Sequence, residues 1–266
     1  MGVREASAFL LLLLGEPAAA ETAYYWVAKN GSDANDCATA LPNLPSQSPC
    51  LSIQGTINKV PSYQRAVINV GPGIYQEQLN IVGYMRPFIG IWGPYDADGT
   101  TCINPAHVVI NANSEQAVWI QDHATVMLGC LTIDNAAIGV SGRQHIIADL
   151  ANIVFGDVAQ PIAMTEFSIA SCGIGPLWLT ASGSVFASAD QSRLNIGCEV
   201  NIADGVNFSR FFEGRTYSRI KTTGARFNGN IAGQKWFLSN SEIGPDCSLP
   251  GVSATQDSLS VLPPGC

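Results

Sequence analysis

The side chains best suited to chemistry recur at a fixed interval. Gln121-Asp122-His123 is followed 22 residues later by Arg143-Gln144-His145; Glu166 stands another 22 beyond Gln144, and Asp190 a further 24 along. A backbone repeating at that interval would bring Asp122, His123, Arg143, His145 and Glu166 into one column, with Asp149 nearby. Carboxylates beside imidazoles can exchange protons as general acid and base, and a guanidinium such as Arg143 can stabilise negative charge developing on oxygen. These five are the candidate catalytic residues. The same recurrence would arise if they were only the solvated polar corners of a repeating chain. Two stacked histidines set no coordination geometry by themselves, and no metal site is expected.

A second group lies in SRFFEGRTYSRIK, where Arg210, Arg215, Arg219 and Lys221 interleave with Phe211, Phe212 and Tyr217. Aromatic faces suit sugar rings, and guanidinium groups suit uronate carboxylates. Arg210, Phe212, Arg215, Tyr217, Arg219 and Lys221 are therefore the candidate substrate-binding residues. The alternative is a basic loop that balances an acidic protein. No GxSxG elbow, P-loop, HExxH or dinucleotide fingerprint occurs.

Stacking of this kind needs short strands at a regular spacing. From Ala66 onward, β-branched runs such as AVINV, QLNIV, HVVINAN and RLNIGCEVNI recur between turn formers, with no long helical period. Ile138, Ile162, Val185, Val206 and Ile231 mark intervals of 21–25 residues, and Gly129–Ile133 and Ala151–Phe155 fall one interval apart. Such a period favours a solenoid, in which each coil buries its apolar positions only against its neighbours; a β-sandwich or jelly roll is the competing reading. Before the strands, Leu51, Ile53, Ile57 and Val60 fall on one helical face, as a cap over the first coil would require. The Pro-rich tail from residue 241 reads as a flap over the last coil.

The stretch Gln64–Gly83, QRAVINVGPGIYQEQLNIVG, resembles the opening coil of right-handed parallel β-helix proteins of the pectate-lyase and pectin-methylesterase type. The resemblance implies an all-β, right-handed parallel β-helix with a short N-terminal capping helix, and the Pro-rich tail with Cys247 and Cys266 reads as a disulfide-pinned C-terminal flap. The chain then divides into a leader (1–20), an N-terminal strand, loop and cap (21–63), the helix proper (64–240) and the flap (241–266). Gly73, Tyr75 and Glu77 match the esterase "GxYxE" turn, and Gln116–Ile120 is similar to its "QAVAL" strand, whose glutamine helps stabilise the oxyanion. The family's two catalytic aspartates are not matched. Gln121-Asp122 comes only five residues after Gln116, and Asn152 stands at the nucleophile position of Asn152–Gly156. Methylesterase activity is therefore disfavoured, and Glu77 is expected to be structural. The resemblance points instead to a lyase or hydrolase acting on an extracellular polysaccharide. The alternative is a non-catalytic β-helix for adhesion or glycan binding. No cofactor is required, although Ca²⁺ would be expected of a lyase.

Composition agrees with an exported, turn-rich β protein. Of 266 residues 26 are Gly and 15 Pro, and only 13% are charged. The net charge of −8 gives no support to nucleic-acid binding. Arg4, the apolar run Ala8–Leu14 and Ala18-Ala19-Ala20 read as a secretory leader, and no run is long enough to span a bilayer. Eight cysteines without a CxxC pair suggest disulfides and an oxidising compartment, secreted or periplasmic. Spacing leaves connectivity open: Cys37 with Cys50 and Cys247 with Cys266 would close local loops, while Cys102 with Cys130 and Cys172 with Cys198 lie about one coil apart.

Overall fold

The computed structural model describes residues 21–40, 45–83, 88–96, 101–244 and 249–262. The chain winds into a parallel β-solenoid of about seven turns. Two successive coils show the plan. Ile169–Cys172, Leu177–Leu179 and Gly183–Asp190 pair in parallel, strand for strand, with Arg193–Ile196, Glu199–Ile202 and Phe208–Arg215. These three positions define a first, second and third sheet running the length of the stack. In the middle coils the strands do not break at the edges. Val108–Gln121 and Thr125–Gly142 bend from sheet to sheet, turning at Asn113, Ser114, Cys130 and Asn135, each with positive φ. Residues 129–133 lie in register with 151–155, and Cys130 and Asn152 both adopt φ 56° at the same corner.

Alternation along each strand puts one set of side chains inside, where they stack coil on coil. Val118, Val140, Ile162, Ala187, Phe212 and Trp236 form one such interior column, and all are buried. Toward the C-terminal coils the core becomes aromatic, with Phe186 4.6 Å from Phe211 and 5.7 Å from Phe212. Phe212 is fully buried in this cluster, so its ring cannot meet a ligand and the substrate-binding role expected of it is withdrawn. Phe211, Phe212 and Glu213 are consecutive and all buried, so simple alternation fails along this strand and both rings pack inside.

A short helix, α1 (Ile53–Lys59), caps the N-terminal end. Ser52 is its N-cap, accepting from the Gly55 N–H, and Ile53, Ile57 and Val60 are buried beneath it. Leu51 precedes the helix and is 42% exposed, so it does not belong to the apolar face expected of it. Glu77 ties the cap to the first coils: its carboxylate accepts from the backbone N–H groups of Ile53 at 2.9 Å and Gln54 at 2.8 Å. Tyr75 is buried, and its hydroxyl donates to the Gly71 carbonyl. Gly73 has φ 155°, and a Cβ there would lie 2.5 Å from Lys29 Cγ. The esterase-like turn is thus structural here. At the far end Ser253–Gln256 adds a rung to the third sheet on Gln234–Ser239, and Val261 bridges to Glu242.

Disulfides join Cys37 to Cys50, Cys102 to Cys130 and Cys172 to Cys198, which fits an oxidising compartment. The expected Cys247–Cys266 pair and the leader at 1–20 lie outside the described residues. Among the described residues no helix is long and apolar enough to cross a membrane.

Candidate functional site

The candidate catalytic column is a real row, and it forms the corner between the third and first sheets. Thr125, Ile147, Ile169, Arg193 and Arg219 share one register on the first sheet, which fixes what precedes them. Each full corner holds two outward residues in the left-handed region and one inward residue. The outward pairs are Asp122-His123, Gln144-His145, Glu166-Phe167 and Thr216-Tyr217, with φ between 45° and 65°. Side-chain-bearing residues pay about 1–2 kcal/mol each for that conformation. Coil-to-coil hydrogen bonds offset it: His123 N–H donates to the Gln144 carbonyl, His145 to Glu166 and Phe167 to Gln191, at 2.9–3.0 Å. The rings add to this, His123 stacking on His145 at 5.2 Å and His145 on Phe167 at 5.3 Å.

As a catalytic constellation the row is open. His123 and His145 are exposed on a ridge. Arg143, at the end of the third sheet, reaches Glu166 at 3.5 Å, while its Nε is buried without a partner. Asp190 does not continue the row. It is in register with Thr165 and Arg215, one position before the corner, so Gln191 occupies the place beneath Glu166. Asp149 lies away from the ridge, on the outer side of the first sheet between Met127 and Ser171. Burial pushes its carboxyl up, and Ser171 hydrogen-bonds to it.

One corner is shorter than the others. Between Asp190 and Arg193 stand only Gln191 and Ser192, whereas three residues fill the corners at 122–124, 144–146, 166–168 and 216–218. The inward position is kept: Ser168, Ser192 and Ser218 are all buried, and Ser168 N–H donates to Ser192 Oγ at 3.1 Å. What is lost is the outward ring position. The result is a cleft of about 550 Å³ lined by Phe167, Ile169, Gln191, Ser192, Arg193 and Tyr217. Its two walls are strongly exposed rings, Phe167 at 62% and Tyr217 at 79%.

The basic group divides around this corner. Arg210 and Arg215 lie on the third sheet and both pair with Glu213, and Arg210 also stacks over Phe237 at 4.7 Å. Arg219 and Lys221 lie outward on the first sheet, with Arg219 3.0 Å from Glu242. Lys221 borders a shallow cleft of about 420 Å³ with Ser171, Asn195 and Thr223. Tyr217 marks the edge between the two sets. Two residues that line the cleft, Phe167 and Arg193, were not among the candidates named from the sequence. Phe167 is 22 residues beyond His145 and extends the ring row; Arg193 is one coil before Arg219. Among the described residues no group of three His, Cys, Asp or Glu side chains could hold a metal ion.

The chain matches no protein-family model, curated protein or solved structure in the comparisons made.

Proposed function

We propose that this protein is a glycan-binding β-solenoid, taking an extended polysaccharide along the corner between the third and first sheets and over the outer side of the first sheet. The observation that carries this reading is the pairing of two exposed rings, Phe167 and Tyr217, around a cleft that also contains Arg193. Exposed rings offer the apolar faces of sugars a stacking surface, and arginine offers their carboxylates a bidentate partner. The row continues on the first sheet to Asn195 and Lys221, polar groups one coil apart that suit a repeating polymer. The likeness of Gln64–Gly83 to pectate-lyase-type coils supports a polysaccharide partner, as an argument from fold resemblance.

Asp149 favours a second, catalytic reading. A carboxyl whose pKa is raised by burial, on the outer side of the sheet that the glycan would cross, is suited to protonate a leaving glycosidic oxygen. The two readings separate in one assay. A panel of acidic and neutral oligosaccharides, with and without Ca²⁺, is followed for binding by calorimetry and for turnover by unsaturated-uronate absorbance and reducing ends. Binding without turnover is the expected result. Turnover abolished by Asp149→Asn would establish the hydrolase, and turnover abolished by Asp122→Ala or His145→Ala would place the chemistry on the ridge. Absence of binding to every member of the panel would refute the glycan reading.

A further inference from the structure

We propose that the short corner at Gln191-Ser192 is a vacant rung in a ring ladder, and that one uronate pyranose ring fills it, sandwiched between Phe167 and Tyr217 with its carboxylate on Arg193. This rests on the glycan-binding reading and names the ligand class and the subsite.

The ladder sets the dimensions. His123, His145 and Phe167 follow one another at 5.2 and 5.3 Å, one ring per coil. Phe167 and Tyr217 occupy the same corner position two coils apart, each two residues before a register-matched residue of the first sheet and each in the left-handed region (φ 65° and 63°). Two coil rises amount to about 9.6 Å. Carbon atoms in contact sit about 3.5–4.0 Å apart. A flat aromatic guest between two rings therefore fills only about 7–8 Å of that rise, whereas a puckered chair with axial hydrogens on both faces fills more of it.

Charge selects the acid sugar. Arg193 is exposed, lines the cleft, and has no ion pair among the described residues. Of the nearby carboxylates, Glu166 pairs with Arg143 and Glu213 with Arg210 and Arg215; Asp190 lies around the corner on the third sheet in register with Arg215, its Oδ1 buried without a partner. The guanidinium of Arg193 is thus the charge that a guest in the cleft would meet, and its planar fork suits a carboxylate. Gln191, at the mouth, adds an amide for ring hydroxyls.

The test uses the whole protein and defined oligouronates, with neutral oligosaccharides of equal length as the comparison. The decisive variant inserts one phenylalanine after Gln191, restoring a three-residue corner and supplying the missing ring from the chain itself. It is expected to keep the wild-type melting temperature and to weaken oligouronate binding at least tenfold. Tyr217→Ala, at an exposed site, is expected to weaken binding about two- to tenfold. Arg193→Gln is expected to weaken oligouronate binding at least about tenfold more than it weakens neutral-sugar binding. In proton NMR, methine protons of one bound sugar residue should move upfield under the two ring currents, and the shift should vanish in Tyr217→Ala. Wild-type binding that survives both the insertion and Tyr217→Ala overturns the vacant rung while leaving glycan binding intact. An Arg193→Gln variant that binds oligouronate as well as wild type overturns the uronate assignment. Failure of the wild type to bind any oligosaccharide overturns the functional reading on which the subsite rests.

Discussion

Replacing Glu77 with glutamine should loosen the cap of the solenoid. In the native protein each carboxylate oxygen takes one backbone N–H, Oε1 from Ile53 and Oε2 from Gln54. Glutamine keeps the size but turns one acceptor into a donor, so one of those N–H groups faces an NH₂ and goes unsatisfied. A lost hydrogen bond of this kind costs about 1–3 kcal/mol. Removing a part-buried charge gives some of that back, leaving a net loss of about 1–2 kcal/mol. For a chain of this size that corresponds to a fall of about 2–8 °C in melting temperature. Hydrogen exchange should show the same change locally, the Ile53 and Gln54 amides losing protection first. The pH dependence gives a second check. Burial pushes the Glu77 carboxyl up and nearby Asp33 adds to this, against the opposing pull of the two N–H groups and Lys29. A raised folded-state pKa means that the stability contributed by this group is fully present below the unfolded value of about 4.3 and is lost as pH rises through the folded value. The gap between wild type and Glu77→Gln should therefore be widest at acid pH and narrow toward neutrality. A variant that melts at or above the wild-type temperature, with both amides still protected, would refute the reasoning.

Phe212→Ala should cost about 3–5 kcal/mol by opening a cavity among Phe186, Phe211 and Phe227. Any glycan affinity of the folded fraction should be retained, and calorimetry at a temperature below the melt checks both. Cys37→Ser with Cys50→Ser removes a bridge closing a 13-residue separation and should lower stability by about 3 kcal/mol in chemical denaturation, with wild type under reductant behaving alike. Asp257 is held below the ordinary carboxylate range by the hydroxyl of Ser260 first, then by the N–H of Asn240, the hydroxyl of Ser239 and the N–H of Leu259. Its contribution is therefore present above about pH 3.9 and lost as pH falls through the lower folded value. Thermal melts between pH 5 and pH 2 should show that loss in wild type and not in Asp257→Asn.

The solenoid was legible because coils repeat their burial pattern. Residues 129–133 and 151–155 were matched from sequence and pair in that register. Other matches found the period but missed the phase. Ile138 pairs with Gln160, and Ile162 with Val140, a slip of two residues that leaves inward and outward parity unchanged and so is invisible to hydrophobicity. The histidine row was legible because its corners are of equal length. Its continuation to Asp190 was not, because the coil from Met164 to Ala189 spans 25 residues where that from Gly142 to Met164 spans 22, which leaves Asp190 one position short of the row. Phe212 shows a different failure. Within Arg210–Arg215, Phe211, Phe212 and Glu213 are all buried, so strict alternation does not hold and the pattern could not show that both rings face inward. Arg193 was missed because it lies a full coil away from the cluster that its neighbours Arg219 and Lys221 belong to.

The disulfides give the stack a mechanical grain. Each coil touches only the coils beside it, so a solenoid pulled by its ends yields by peeling one turn at a time. Cys172–Cys198 closes 26 residues of adjacent turns and Cys102–Cys130 closes 28, and neither loop can pay out while its bond is intact. Each bond thus withholds roughly 85–100 Å of contour length from a stretched chain. Under tension the oxidised protein should extend in short steps, then meet hard stops at Cys198 and Cys130, and a reductant should release both lengths. A molecule of this build can bear a load along its axis and give way in instalments, with the redox state of its surroundings setting how far.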